Sequence, residues 1–294
     1  MLPIVMRRFT RFPGLSAVLA RAVLLLAAFG LAAPVAAQWL RPDQVVISTE
    51  SYGAIHPYRA ALEAAYSTET DPGRLAVLRN NLDRWRDLPA ALGRRHVMVN
   101  IVAQEVVLWE DNAVVGRWPV IVGRRQTPTE IFSTEITGVN LNPWWYIPQS
   151  IVRESIGALV RNSPAEARRR GYVVSNGSYR QRPGPNNALG RMKLVMPNDH
   201  AIYLHDTPSQ HLFGEDRRTF SHGCIRVEDA LGFAATLLGT TRAAIEAQVA
   251  SGETRTLSLA EPLPVHIVYF TAVPQADGSI RYFDDFYGRD ATAD

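Results

Sequence analysis

The chain has 294 residues, of which 47 % are hydrophobic and 20 % are charged, and its formal net charge at pH 7 is +3. Residues 1–37 contain four arginines and no acidic residue, so the rest of the chain carries +3 less 4, or about −1. The charge therefore gives no argument for a nucleic acid or another acidic partner. The remaining 257 residues are enough for one domain with a full core and an appendage.

The N-terminus has the pattern of a secretory signal peptide. Arginines precede an apolar run of twelve residues, Ala22 to Ala33, and Val35-Ala36-Ala37 offers the small residues that a signal peptidase reads. A bilayer span needs roughly 20 apolar residues. We therefore predict a cleaved signal over residues 1–37, export to the periplasm or cell envelope, and no stable membrane span afterwards. An uncleaved anchor is the alternative.

Two helices are predicted next, over about 56–67 and 74–88. The second follows an Asp-Pro-Gly turn and has one apolar stripe at intervals of three and four residues, formed by Leu75, Leu78, Leu82 and Trp85. We expect the segment 38–95 to be helical and to dock this stripe against the domain that follows.

From His96 the apolar period changes to two, which predicts β-strands. A hairpin is expected between Glu105 and Val122, short strands on both sides of the turn at residues 197–199, and a strand over Pro264–Thr271. Helices are predicted over about 150–171, 228–238 and 241–249. We therefore predict a mainly β domain with α additions over residues 96–290 and a short tail at 291–294.

The only cysteine of the chain, Cys224, ends the run Ser221-His222-Gly223-Cys224, and fifteen residues separate this run from His205. A thiol attacks as the thiolate and needs a base, which either histidine could supply. Sequence spacing alone does not choose between them. Gly223 can adopt a positive φ, so the turn could aim backbone amides at an oxyanion. Because a helix is predicted from Glu228, we also expect its N-terminus to lower the pKa of the thiol.

Two other readings of this cysteine are a buried apolar residue and a metal ligand. The residues before it are polar, which disfavours the first. Zinc is disfavoured because no pair among the candidate ligands has zinc-finger or metalloprotease spacing. Those candidates are His200, His205, His211, His222 and Cys224. We predict no metal and no cofactor.

The histidine, its spacing and the Ser-His-Gly-Cys run resemble the signature of the L,D-transpeptidase catalytic domain (YkuD type). Members of this family are bacterial enzymes of cell wall biogenesis, and so of cell shape, which cross-link peptidoglycan through a cysteine acyl-enzyme. Arg180–Arg191 and Ile202–Pro208 resemble the branch with a large insertion beside the active site. Asn81–Arg86 and Phe283–Gly288 extend the resemblance to about residues 74–290.

The resemblance implies a β-sandwich of the L,D-transpeptidase type with a helical capping insertion at about residues 142–179. The cap would shield the acyl-enzyme from water and grip the peptide stem. It also implies that Cys224 attacks a tetrapeptide stem, that the terminal D-alanine leaves, and that an amine of another stem resolves the thioester. The implied partners are peptidoglycan peptide stems.

By the same resemblance His205 is the base and the carbonyl of Asp206 orients it. The backbone amides of His222, Gly223 and Cys224 are the expected oxyanion donors. Four residues are expected to contact substrate: Arg226, Ser221, Tyr203 and Trp145. Arg226 stands where many members have asparagine, so its roles as a carboxylate ligand and as a structural ion-pair partner both stay open. Glu130 stands where many have glycine.

Two other functions stay open at this point. A hydrolase could use the same acyl-enzyme as a carboxypeptidase or to cleave an existing cross-link or protein attachment, because water and amines compete for one thioester. A non-catalytic wall-binding module is the second, and the intact His205 and Cys224 argue against it.

Overall fold

The computed structural model describes residues 55–290, which lie within one compact unit. The predicted signal peptide at 1–37 and the tail at 291–294 lie outside the described residues. The α-helices are α1 (Pro57–Thr68), α2 (Pro72–Arg86), α3 (Gln149–Ile151), α4 (Gly157–Asn162), α5 (Pro164–Arg169), α6 (Ala230–Leu237) and α7 (Arg242–Ala250). A π-helical turn over Val152–Ile156 joins α3 to α4, and a 3-10 helix spans Gln210–Gly214.

The strands of the first half are β1 (Arg95–Asn100), β2 (Glu105–Glu110), β3 (Ala113–Gly123), β4 (Phe132–Leu141), β5 (Trp145–Tyr146), β6 (Tyr172–Ser175) and β7 (Ser178–Gln181). Those of the second half are β8 (Met192–Val195), β9 (Leu204–His205), β10 (Thr219–Ser221), β11 (Ile225–Val227), β12 (Arg255–Val268), β13 (Ala272–Pro274) and β14 (Ile280–Tyr282). The expected mainly β domain with helical additions is confirmed.

Nine strands form one sheet in the order β10-β3-β11-β9-β8-β4-β12-β1-β2, and β2 also pairs with β3. This extra pairing closes every strand except β10 into a ring. Apolar side chains from alternate positions of the ring strands form the main core, together with α6. The strand predicted over Pro264–Thr271 overlaps only the last five residues of a longer strand, β12, which ends at Val268. This strand pairs antiparallel with β4 and parallel with β1.

The two N-terminal helices pack on the other side of β1. Asp71 caps α2 by accepting from the backbone N–H of Arg74, and Pro72 supplies its first turn. Leu78 and Trp85 of its apolar stripe join a second buried cluster with Met98. Because Val97 and Val99 enter the main core while Met98 enters this second cluster, β1 is apolar on both faces.

The second cluster also contains three histidines. The ring centroids of His56 and His96 are 5.7 Å apart, and those of His96 and His266 are 5.9 Å apart. Burial lowers the pKa of His56 to about 3 and that of His96 to about 4. Their Nε2 atoms are buried without a hydrogen-bond partner in the described chain. All three rings are therefore held neutral inside the protein.

Residues 142–179 form a small unit of mixed structure beside the ring. It contains α3, α4, α5 and the π-helical turn, and β5 and β6 pair with β7 in a three-stranded sheet. Ile147, Val152 and Ile156 form its own apolar cluster. The expected insertion is thus built from strands as well as helices. Between residues 55 and 290, no helix has the length and apolar character needed to cross a bilayer.

Candidate active site

Three neighbouring strands bring the histidine and the cysteine of the motif together. Strand β9 ends at His205 and pairs in parallel with β11, so that His205 lies opposite Arg226. Cys224 comes directly before β11. On the other side of β9, His205 lies opposite Lys193 of β8. Since Leu204 and Ile225 point into the core, the side chains of His205 and Arg226 lie on the opposite face of the sheet.

His205 is only 4 % exposed and is held by the backbone next to it. Its Nδ1 atom lies 2.5 Å from the carbonyl oxygen of Asp206. A carbonyl can only accept, so Nδ1 carries the proton and Nε2 is left as the basic nitrogen. Burial and the positive charges of Arg226 and Lys193 lower the pKa of His205 to about 3, and the backbone carbonyls of Asp206 and Leu189 oppose this shift by less. The imidazole is therefore neutral at physiological pH.

Cys224 is half-buried, and its thiol donates to the carbonyl oxygen of Ala201 at 3.7 Å. Burial raises the pKa of this thiol, while the backbone N–H of Tyr203 and the charges of Arg226 and Lys193 lower it by less. Within residues 55–290 no hydrogen bond joins Sγ to His205 or His222. The resting pair is a neutral thiol and a neutral imidazole.

The expectation that a helix N-terminus lowers the pKa of the thiol is wrong. Strand β11 follows the cysteine, and α6 begins only at Ala230. The influence of a helix dipole is confined to about its first turn. Burial among the strands therefore dominates, and the pKa is raised.

The turn from Ser221 to Cys224 is closed by its own side chains. Ser221 Oγ donates to the carbonyl of Cys224 at 2.5 Å and accepts from the backbone N–H of Gly223 at 3.1 Å. Gly223 has φ +111°, which L side chains rarely adopt. Ser221 is 2 % exposed, so its hydroxyl is committed to the turn. In the described chain the amides of His222 and Cys224 have no acceptor, unlike that of Gly223.

A second set of hydrogen bonds fixes this turn to the rest of the domain. Thr129 Oγ1 donates to the carbonyl of Gly223 at 2.8 Å, and accepts from the N–H of Gly123 at 2.9 Å. The hydroxyl of Tyr287 accepts from the N–H of Thr129 at 3.1 Å and donates to the carbonyl of Gly123 at 2.5 Å. The loop after β3 and the C-terminal segment thus position the cysteine. Phe283–Gly288 is one of the segments that carry the family resemblance, but none of these hydrogen bonds was predicted from the sequence.

His222 points away from the thiol and towards the insertion. Its Nε2 atom lies 2.9 Å from Oε2 of Glu154, whose other oxygen accepts from Arg124 at 2.9 Å. His222 and Glu154 are both partly exposed. The insertion therefore reaches the turn of the cysteine through one carboxylate.

The carboxylate of Asp206 has partners that the sequence did not suggest. It accepts from the backbone N–H of Arg191 at 2.8 Å and from Gln210 Nε2 at 3.1 Å. A Cβ atom at Gly190 would lie 2.5 Å from this carboxylate, so glycine is required there. These contacts fix the residue whose carbonyl holds His205.

The remaining predicted site residues differ in their surroundings. Tyr203 is half-buried, and the ammonium of Lys193 lies 4.3 Å from its ring centroid. Arg226 is half-buried and forms no ion pair among residues 55–290. Trp145 packs against the apolar cluster of the insertion, whereas its neighbour Tyr146 is 66 % exposed. Contacts of Arg226, Ser221, Tyr203 and Trp145 with substrate stay predictions.

No group of three His, Cys, Asp or Glu side chains between residues 55 and 290 is arranged to hold a metal ion. The site is thus defined by one thiol, one buried imidazole, two cations and the amides of the turn. This set can carry out acyl transfer through a thioester.

Comparison with known proteins identifies the domain. The L,D-transpeptidase catalytic domain family (YkuD) matches residues 94–256. A Haemophilus influenzae protein named "Putative L,D-transpeptidase" is 27 % identical over 264 residues, covering 81 % of this chain and 53 % of the relative. The chain therefore spans about half the length of this curated relative.

Solved structures with a similar arrangement include two mycobacterial proteins. L,D-transpeptidase 3 from Mycobacterium tuberculosis has a TM-score of 0.33 and 14 % identity, covering 60 % of this chain and 61 % of that one. An L,D-transpeptidase from Mycobacterium smegmatis has a TM-score of 0.32 and 12 % identity, covering 60 % and 58 %. At these TM-scores and identities, the similarity to solved structures adds no evidence to the match with the domain family.

Proposed function

Because the chain belongs to the L,D-transpeptidase catalytic domain family, we propose that it is an exported peptidoglycan L,D-transpeptidase that works through an acyl-enzyme on Cys224. The observation that carries this proposal is the parallel pairing of β9 with β11. It sets a buried imidazole, with Nδ1 fixed and Nε2 basic, one strand away from the only thiol.

In the acylation step, Nε2 of His205 takes the thiol proton as Sγ attacks the carbonyl carbon of the third residue of a tetrapeptide stem. The negative charge that develops on the carbonyl oxygen is stabilised by the backbone amides of His222 and Cys224. His205 then gives its proton to the nitrogen of the terminal D-alanine as the amide bond breaks. The products are free D-alanine and a thioester on Cys224.

In the transfer step, an amine of a second stem attacks the thioester and loses a proton to His205. The C–S bond breaks, the new amide bond forms, and the sulfur recovers its proton. Proton transfer by a positioned imidazole contributes about 10²- to 10⁴-fold to such steps. The neutral thiol and neutral imidazole suit this mechanism, because the proton moves only when substrate arrives.

We assign His222 a different part, that of fastening the insertion over the site through Glu154. The insertion would then limit access of water to the thioester. The segment 1–37 supports action in the periplasm or cell envelope. A docking segment over residues 38–95, of which 38–54 lie outside the described residues, and a cap over 142–179 remain proposals as domain boundaries.

The proposal is tested with a disaccharide tetrapeptide whose side-chain amine is acetylated, so that it can only donate. The protein is incubated with this donor, with and without a tripeptide stem that has a free amine. A cross-linked dimer that appears only with the acceptor, and not with Cys224→Ala, supports the transpeptidase. Tripeptide and D-alanine released equally in both samples would instead identify a carboxypeptidase.

A further inference from the structure

The chain contains a single lysine. Of its 31 basic residues thirty are arginines, and the exception is Lys193. Lysine carries a compact ammonium group on a flexible alkyl chain. Arginine instead has a planar guanidinium that stacks on aromatic rings and forms bidentate hydrogen bonds. Lys193 therefore differs from every other basic residue of the chain in the shape of its charged group.

Lys193 lies in the middle of the candidate active site. On β8 it is opposite Asn140 on one side and His205 on the other. Met192 and Leu194 enter the core, so Lys193 shares the outer face of the sheet with His205 and Arg226. Its ammonium lies 4.3 Å from the ring centroid of Tyr203, a residue two positions before His205.

Lys193 and Arg226 are both half-buried, and neither forms an ion pair with an Asp or Glu between residues 55 and 290. The nearby carboxylate of Asp206 is already bound by Arg191 and Gln210. Burial lowers the pKa of Lys193, while the charge of Cys224 in its thiolate form opposes this shift. In the resting state the thiol is neutral, so the two cations have no protein anion beside them.

A partly buried charge without a partner costs free energy, and an anion placed beside it recovers that cost. Two such cations flank the strand that carries His205 and lie close to the thiol. The ligand that suits this place is a carboxylate on the molecule that Cys224 attacks.

We propose that Lys193, together with Arg226, binds a carboxylate of the donor stem and so determines which donors reach Cys224. This inference rests on the proposed function and deepens it by naming the group that is recognised. The carboxylate could belong to the side chain of a dicarboxylic diamino acid at the third position or to the terminal D-alanine. In either case Lys193 acts as a substrate-binding residue, and His205 keeps the proton transfer.

The first test needs no peptidoglycan. Cys224 is alkylated with iodoacetate, which is anionic, and with iodoacetamide, which is neutral and of similar size. The ratio of the two rate constants measures the local preference for a carboxylate. One charge a few ångströms away in partly exposed surroundings predicts that Lys193→Met lowers this ratio about 5-fold, and that high salt reduces the difference.

Lys193→Arg keeps the charge and should recover part of the ratio. Arg281→Met is the control, because Arg281 also lies over an aromatic ring, Phe283, at 4.7 Å, but on β14 of a separate two-stranded sheet. It should leave the ratio unchanged. Thermal unfolding of every variant checks that it is folded. An unchanged ratio in folded Lys193→Met overturns the proposal.

The second test identifies the carboxylate. KM and kcat are measured for three donors: the tetrapeptide stem, the same stem amidated at D-alanine, and the same stem amidated at the side-chain carboxylate. We expect Lys193→Met to raise KM about 10-fold for the donors that keep the bound carboxylate and to have little effect on the one that lacks it. Equal effects on all three donors would overturn the assignment.

The two tests separate this inference from the function on which it rests. If no donor reacts in the wild type while the alkylation ratio still depends on Lys193, the carboxylate site stands and the proposed function fails. If the donors react normally in Lys193→Met and the ratio of alkylation rates is unchanged, the proposed transpeptidase function is kept and the proposed carboxylate site is rejected.

Discussion

His222 is two residues from the only cysteine, yet its Nε2 atom bonds with Glu154 of the insertion, at 2.9 Å from Oε2. The histidine that is near in sequence is thus engaged elsewhere. His205, which is distant in sequence, is buried at the end of β9, the strand that pairs with β11 directly after the cysteine, and its Nδ1 atom is held by the carbonyl of Asp206. This difference supports His205 as the base and His222 as the anchor of the insertion.

If Glu154 fastens the insertion, Glu154→Gln should weaken binding of the donor stem. Exposed pairs of this kind contribute about 0–1 kcal/mol, so we expect KM to rise about 2- to 5-fold with kcat nearly unchanged. His222→Ala should have a similar effect, and the double variant should not add to it. Steady-state kinetics with the acetylated donor measures this.

Glu166→Gln is the matched control for that experiment. Glu166 is also a carboxylate of the insertion that pairs with arginines, Arg169 and Arg170, but these lie on and next to its own helix. It should leave KM unchanged. Equal effects of the two substitutions, or additive effects of Glu154→Gln and His222→Ala, would contradict the anchor.

The neutral thiol of the resting state predicts how the alkylation rate of Cys224 changes with pH. A thiol attacks as the thiolate, and burial raises the pKa of Cys224. Alkylation by neutral iodoacetamide should therefore be slow at pH 7 and still rise above pH 9. His205→Ala should leave this profile nearly unchanged, because the pKa of His205 is about 3. A plateau below pH 8 would indicate a thiolate–imidazolium pair instead.

The close approach of Gly190 to Asp206 predicts that a side chain at Gly190 destabilises the protein, and Gly177 provides the control. Gly190 and Gly177 have similar φ angles, +61° and +74°, but only at Gly190 would a Cβ atom meet a neighbour within 4 Å. An alanine in the left-handed region costs about 1–2 kcal/mol. Gly177→Ala should lose about this amount of unfolding free energy, and Gly190→Ala clearly more.

Gly190→Ala should also slow acylation, because it displaces the residue whose carbonyl holds His205. Urea unfolding and the rate of thioester formation measure the two effects. Equal losses of stability in the two variants, with acylation unchanged, would show that Asp206 does not depend on Gly190.

The buried histidines predict loss of stability in acid. The pKa of His96 is about 4 in the folded protein, and the ordinary value of 6.5 applies in the unfolded chain. Between these two pH values the unfolded chain therefore binds more protons. Stability should then be constant above pH 6.5 and fall as the pH drops towards 4. For His96 alone the loss at pH 5 is roughly 2 kcal/mol.

His96→Phe removes this one titration and should make the dependence of the melting temperature on pH between 4 and 6.5 less steep. His56 and His205, whose pKa values are about 3, keep the remainder. His211→Phe, a change at an exposed histidine of the 3-10 helix, is the control and should keep the full dependence. An unchanged pH dependence in His96→Phe would contradict a neutral buried imidazole.

Local signals predicted much of the fold. Helix α2 begins and ends within two residues of the prediction, because Asp71, Pro72 and the apolar stripe all act within the helix. The alternation after His96 identified β1 for the same reason. The prediction that the nucleophile lies directly before a helix was wrong, because the three residues of β11 are too few to show a period.

What the sequence could not predict depends on pairing between distant segments. Lys193 lies beside His205 only because β8 pairs with β9. The sequence shows that it is the only lysine but does not show where the strand places it. The contact between His222 and Glu154 spans 68 residues. The histidine cluster joins His56 at the N-cap of α1, His96 of β1 and His266 of β12, which are far apart in the chain. Each of these features is set by tertiary packing, which overrides local pattern.

The roles of His205 and Cys224 are tested most directly by the intact mass of the protein after mixing with the acetylated tetrapeptide donor alone. The wild type and His222→Ala should both gain the mass of the donor less D-alanine, on Cys224, while His205→Ala should do so at least about 100-fold more slowly. Acylation of His205→Ala at the wild-type rate, or an adduct on a residue other than Cys224, would contradict the assignment of base and nucleophile.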